Sequence, residues 1–372
     1  MAVQTSVLLF LAIVAPTVLA YGGVKGAYWP SWVAETLSPA TIPTSYFTHL
    51  FYAFVEVDSA TCELNITQPD DQWMGNFTAT LHAKSPPAKA FLSIGGTNTG
   101  TIFSYTLSSH KNRAAFINST IVVARKYGFD GLDLDWEFPN NTQDMSNLAT
   151  FFTAWRFAID KEARFSGKQR ILLSAAVYFS SALFLTDPPL SYPGHVIKKY
   201  IDFVSPMTYD LHGSWEPLKT GSPALLYDKY SNLSTSYGIS SWLKSGVPSE
   251  KVVMGLPMYG RSWQLVNSSD HNIGSPAVGA GPLPSMTYDQ IVDFNLGNNA
   301  TVVYDEATVS TYSYAGKNWI GYDNVESVVN KVKFAKDQGL GGYFFWAIGD
   351  DKNWTLAAAG EFLYISESIY IL

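Results

Sequence analysis

Cysteine is almost missing from this 372-residue chain: Cys62 stands alone. One cysteine closes no intrachain disulfide, so packing has to hold the fold. With no cysteine pair and no close group of histidines, neither a metal site nor thiol chemistry is expected, and no organic cofactor. Charge is sparse as well, at 15% of residues with a net charge of -7, and Lys and Arg are scattered rather than gathered into a stripe. A nucleic-acid partner is therefore not expected. Beyond the N-terminus no apolar run approaches the ~18 uncharged residues of a membrane helix, so a soluble, monomeric mature chain without a membrane partner is expected.

Apolar residues are what the chain does have, at 47%, with aromatics alone at 15%. A chain of this length buries a large core, and ~250 residues suffice for one barrel-type domain. The aromatic excess suits either that core or a surface that stacks on sugar rings. Residues 1–20, "MAVQTSVLLFLAIVAPTVLA", have the short apolar run, proline and small residues of a signal peptide cut after Ala20, although no Lys or Arg precedes the run. Acceptor sequons at Asn65, Asn76, Asn118, Asn140, Asn232, Asn267, Asn299 and Asn353 agree with a secretory route. The destination is expected to be extracellular or vacuolar, the C-terminal "EFLYISESIYIL" being either closing structure or a removable vacuolar signal.

Eight strand-like runs follow one another: 24–29, 49–57, 88–96, 131–137, 170–179, 201–209, 251–259 and 340–347. Helical patterns lie between them. At 144–161 Leu148, Phe151, Phe152, Trp155 and Ile159 share one stripe, and at about 323–338 Asp323 and Glu326 are spaced as a capping pair before a valine face. Strand and helix alternating in this way predict an α/β fold, a closed (β/α)8 barrel spanning 21–259 and 323–372. The rhythm breaks at 260–322, which reads as a small α+β insertion between the seventh strand and its helix.

The run "GFDGLDLDWEFP", 128–139, puts Asp130, Asp133, Asp135 and Glu137 in an apolar strand. Alternation sends Asp133, Asp135 and Glu137 to one face, ~6.5–7 Å apart, and Leu132, Leu134 and Trp136 to the other. Inside a barrel three such charges cannot all be ionised comfortably, so the row should hold at least one proton. Glu137, nearest the C-terminal mouth, is then the candidate general acid. A structural cluster paired to Lys or Arg is the plainer alternative, but the run itself holds no base. A calcium loop fails because Phe138 stands where a turn-forming Gly is needed. Spacing alone suggests a glycosidase with two catalytic carboxylates.

"DGLDLDWE" closely resembles the D-x-x-D-x-D-x-E signature of the family 18 glycoside hydrolases, the chitinases, and "FLSIGG" at 91–96 their third-strand S-x-G-G motif. "LFYAF", "MTYDLHGSW", "GLPMYGRSW" and "GGYFFWA" follow in family order, so the likeness runs over about 24–348 and looks most like plant class V chitinases. The resemblance implies a secreted endo-chitinase that hydrolyses β-1,4 bonds between N-acetylglucosamine units of chitin or its oligosaccharides. In it Glu137 is the acid/base, the substrate's 2-acetamido carbonyl is the nucleophile, Asp135 orients that acetamide, Asp133 shares a proton with Asp135, and Tyr209 donates to the acetamide oxygen. Met207 and Asp210 would line the same subsite, Trp346 its floor, and Tyr28, Phe54, Gly96, Tyr259 and Arg261 the cleft. Trp32, Trp215 and Trp263 are either sugar platforms or packing residues, and His212 is structural.

Two departures from the family pattern stand out: Phe138 where Tyr is common, and Thr97 where many members carry Trp, which removes a stacking platform. Asn140 sits just past the catalytic strand and is expected to carry no glycan. Two other readings of the likeness remain, a hydrolase of lipo-chitooligosaccharides and a chitin lectin with negligible turnover. The biological target, a fungal wall in plant defence, an insect or a symbiont's signal, stays open.

Overall fold

The computed structural model describes residues 23–365, with side chains up to Glu361, so the expected signal peptide at 1–20 lies outside the described residues. Eight parallel strands form the central sheet: β1 Val24–Pro30, β2 His49–Val57, β3 Lys89–Gly96, β4 Gly131–Trp136, β5 Leu172–Tyr178, β6 Phe203–Met207, β7 Val253–Pro257 and β8 Gly342–Trp346. Each pairs with its neighbours in sequence, β8 pairs with β1, and a parallel bridge between Val204 and Val252 links β6 to β7. The sheet is thus a (β/α)8 barrel, as the alternation predicts, and each strand lies within or one residue beyond its expected run.

The helices follow from local chemistry. Helix Thr142–Ser166 begins where the Asn141 side chain accepts from the Asp144 N–H and ends at Gly167, whose φ of 68° suits a residue without a Cβ. It buries Leu148, Phe151, Phe152, Trp155 and Ile159 on one face, and each such side chain contributes roughly 1.5–3 kcal/mol by leaving water. The helix outruns the 144–161 stripe because Gly167, not loss of apolar spacing, stops it.

Helix Val325–Asp337 corrects a sequence expectation. Its cap is Asn324, in a reciprocal pair with Ser327, rather than Asp323 with Glu326. Asp323 is instead buried, with both carboxylate oxygens 2.6 Å from Lys331 Nζ and one accepting from Ser327 Oγ at 2.8 Å. A buried carboxylate needs its cation more than a helix needs this particular cap.

Between β7 and that helix the chain forms a five-stranded antiparallel sheet in the order Ala277–Thr287, Tyr259–Leu265, Asn318–Tyr322, Ser310–Ala315, Thr301–Asp305, with helix Tyr288–Gly297 attached. Its own core holds Trp263, Trp319 and Tyr312, so Trp263 is a packing residue.

The barrel interior is layered. Near its N-terminal end Phe51, Phe91, Phe203 and Phe344 pack together, and an added Cβ at Gly131 would stand 2.2 Å from the Phe91 ring. One step up, Asp133 lies in register between Ser93 and Ser174; a further step up, Asp135 lies between Gly95 and Ala176. Small neighbours on both sides leave room for carboxylates that large ones would crowd out. Leu132, Leu134 and Trp136 join the outer core under the helices, so the alternation read from the sequence holds.

Candidate active site

The row climbs from a closed environment to an open one. Asp133 is fully buried and accepts three hydroxyls, from Tyr28 at 2.8 Å, Ser93 at 2.8 Å and Ser174 at 2.6 Å. Burial pushes its carboxyl above the ordinary pKa while those three donors oppose the rise. Asp135 is 4% exposed, and its Oδ1 finds no hydrogen-bond partner among the described residues. Burial, then the charges of Glu137 and Asp133, hold the Asp135 carboxyl well above the usual carboxylate range. Glu137, one residue past β4, is pushed up to about 7 by burial and then by the charge of Asp210, with Thr97 pulling the other way. Three donors suit an anion at Asp133; none suits one at Asp135. Asp135 is therefore the place in the row that most favours the extra proton, and Glu137, raised to about 7, is the next.

Above the row opens a cavity of about 580 Å³, lined by Asp135, Glu137, Tyr28, Phe54, Met207, Tyr209, Asp210, Tyr259 and Trp346 among others. Tyr28, Phe54 and Trp346 form one aromatic nest, the Phe54 and Trp346 rings lying nearly parallel with centroids 5.4 Å apart and Tyr28 5.4 Å from Trp346. Trp32, 66% exposed, leans on this nest from outside, 6.5 Å from both Phe54 and Trp346. Tyr209 touches Tyr259 and Phe344, and burial keeps its hydroxyl protonated well past the ordinary range, which makes it a donor.

Three of the expected residues do not line this cavity. Asp133 lies beneath it. Gly96, at φ 95°, stands behind Phe54, whose ring an added Cβ would meet at 2.9 Å; its part is to let Phe54 lie flat. Arg261 backs the wall: its Nε and Nη2 both donate to Asp210 Oδ1, at 2.8 and 2.6 Å, and its guanidinium lies over the Trp215 and Tyr259 rings. Trp215 lines the cavity and is 55% exposed, so of the three uncertain tryptophans only Trp263 is wholly core. His212 pairs through Nδ1 with Glu216 at 2.6 Å, and Glu216 reaches the wall.

Sequence reasoning missed further lining residues, Ala176, Tyr178, Phe179, Leu185, Leu211 and Leu233; Phe138, which it noted, packs against Tyr178. Tyr178 ends β5 and Phe179 follows it, a strand-end position that could have marked them; Leu211 lies within the motif at 207–215, and Leu185 and Leu233 come from loops that carry no local signal. Among the described residues no group of His, Cys, Asp or Glu is placed to hold a metal ion.

This assembly, a barrel with graded carboxylates under an aromatic-floored cleft at its C-terminal mouth, is that of a glycoside hydrolase. The family model described as glycosyl hydrolases family 18 matches residues 25–351, and the chain belongs to that family. Its likeness to plant class V chitinases is borne out. A class V chitinase of Lotus japonicus, CHIT5, is 51% identical over 340 residues, covering 90% of this chain and 85% of its own length. Nod factor hydrolase protein 1 of Medicago truncatula is 45% identical over 346 residues, 91% of this chain and 89% of that one. Among solved structures, a mutant class V chitinase from Nicotiana tobaccum in complex with NAG4 superposes with a TM-score of 0.88 at 38% identity, covering 92% of this chain and 99% of that chain. A chitinase-like agglutinin from Robinia pseudoacacia has a TM-score of 0.85 at 37% identity over the same shares.

Proposed function

We propose that this protein is a secreted endo-chitinase that cleaves β-1,4 bonds between N-acetylglucosamine units by substrate-assisted catalysis with retention. The observation that carries the reading is the pair Asp135 and Glu137, two residues apart at the end of β4 and both lining one cleft, with burial raising both carboxyls above their ordinary range. Glu137 gives its proton to the glycosidic oxygen as the bond to the anomeric carbon breaks, while the carbonyl oxygen of the neighbouring 2-acetamido group bonds to that carbon. The ring so formed is positively charged at the acetamide. Asp135 receives the acetamide N–H, passing its proton down toward Asp133, and the Tyr209 hydroxyl donates to the acetamide oxygen. Water then adds to the anomeric carbon and returns a proton to Glu137. The nest of Tyr28, Phe54 and Trp346 offers a flat apolar floor to the sugar's C–H groups.

Chitin hexamer tests this, with binding and cleavage measured on the native protein and on Glu137→Gln. Native cleavage to β-anomeric products, with binding but no cleavage by the variant, is expected; a native protein that binds hexamer and never cuts it is a lectin, as one fold neighbour's name suggests for that protein.

One observation favours a second substrate. Leu185, Leu211 and Leu233 line the cavity, the last two packed with Phe179 and Tyr178, and these apolar side chains are well matched to an acyl chain. A relative named Nod factor hydrolase fits a lipo-chitooligosaccharide. Comparing kcat/KM on acylated and unacylated pentamers decides it: a preference for the acylated one that Leu185→Ser abolishes supports the reading, and equal values end it.

A further inference from the structure

We infer that Thr99, outside the cavity wall, is a positioning residue for the general acid, an inference that rests on the reading of Glu137 as that acid. Glu137 lies one residue beyond β4, where no ladder hydrogen bond to a neighbouring strand fixes its backbone. Its N–H donates instead to Thr99 Oγ1, at 3.1 Å. That hydroxyl spends its own proton on Gly96 O at 2.7 Å, with Asp135 O at 3.4 Å on the same side. One side chain therefore ties the end of β3 to the end of β4 across the two residues that carry the chemistry. A hydroxyl accepts from one strand end and donates to the other through a single atom.

The neighbouring contacts point the same way. Trp136 Nε1 donates to Gly100 O at 3.3 Å. Ser104 Oγ donates to Asp144 Oδ2 at 2.8 Å, and the same oxygen accepts the Asn140 N–H at 3.2 Å. The segment 137–140 is thus held at one end by Thr99, the N-cap of helix Gly100–Thr106, and at the other by Asp144, to which Ser104 of that helix is bonded. Gly95 completes the fit: an added Cβ there would stand 2.0 Å from Asp135 O. β3 and β4 are pressed together where Thr99 clips them.

Thr99→Val keeps the shape and removes both bonds. A displacement of Glu137 by a fraction of an ångström lowers the rate of proton transfer without altering the sugar-binding floor, so kcat on chitin tetramer is expected to fall about 10-fold or more with KM within about twofold. Thr99→Ser, which restores the hydroxyl, is expected to recover most of the loss. Binding of tetramer to Glu137→Gln and to the Glu137→Gln, Thr99→Val double variant should be equal. If Thr99→Val proves insoluble, Ser104→Ala, which loosens the far end of the same grip, carries the test through the same kcat and KM split. Unchanged kcat in the variants, or kcat and KM worsening together without rescue by Ser, overturns the proposal. Loss of activity in Glu137→Gln is scored separately, so a failure of Thr99 does not impugn the acid, nor the reverse.

Discussion

Two buried carboxylate sites in this protein are built on opposite principles. At Asp323 the chain supplies everything a charge needs: Lys331 Nζ at 2.6 Å from each oxygen, the Ser327 hydroxyl, and Ala224 O to take a further proton of the same ammonium. At Asp135 it supplies nothing: Oδ1 is unpartnered, and the nearest charges are two more acids. The first site joins the helix Val325–Asp337 to the loop at Ala224 and asks only to be neutral. The second faces a cleft and is left unneutralised, which forces protons onto the row at pH values where ordinary carboxyls have lost theirs. Here the buried carboxylate that has its own lysine holds structure together, and the one whose Oδ1 has no partner among the described residues faces the cleft.

That contrast can be broken experimentally. The largest effect is expected at Glu137→Gln, which should reduce hydrolysis of chitin hexamer by about 10³-fold or more, since general-acid catalysis is worth up to about 10⁴, and leave circular dichroism unchanged. Lys331→Met should do the reverse, leaving kcat of the folded fraction alone while costing about 3–5 kcal/mol in urea unfolding, because it strands Asp323. The Lys331→Met, Asp323→Leu double variant should recover most of that. Asp135→Asn is expected to lower kcat about 100-fold, within the range for one misplaced electrostatic group, yet to melt at or above the native temperature at pH 8, because it removes a buried acid that resists ionisation. Trp346→Ala should raise KM for tetramer by up to about 10-fold, the worth of one aromatic contact, with a smaller change in kcat.

The smallest effect is on pH. Glu137 is raised from 4.5 to about 7, so the protonated form fits the fold and the ionised form is favoured in the unfolded chain. Its contribution to stability is complete below pH 4.5 and is lost as pH rises through about 7. Activity that needs the proton should fall over the same upper limb, and a plot of log kcat/KM against pH bending downward near about 7 is the check. A profile still rising at pH 9 would count against Glu137 as the acid.

Much of this was legible in the sequence, and for physical reasons. Parallel barrel strands are continuous apolar runs, so all eight could be read, and period-two alternation by itself put Asp133, Asp135 and Glu137 on one face. The cap of helix Val325–Asp337 was misread by one residue because Asp323 is recruited by Lys331, eight positions on, a tertiary contact that no capping pattern contains. Gly96 and Arg261 carry motif positions yet act from behind the cavity, through Phe54 and Asp210. The cavity lining at Leu185, Leu211 and Leu233 and the clip at Thr99 depend on where loops land after folding. Periodicity does not encode them.

The claim beneath all of this is that the row stores a proton on Asp135. Infrared spectroscopy in deuterated buffer reads it directly, since a protonated carboxyl absorbs apart from carboxylates and from amides. Above the range in which ordinary Asp and Glu ionise, the unliganded protein is expected to keep a protonated carboxyl band that Asp135→Asn removes and Asp130→Asn leaves in place. A native spectrum with no such band already at pH 6 would contradict the account.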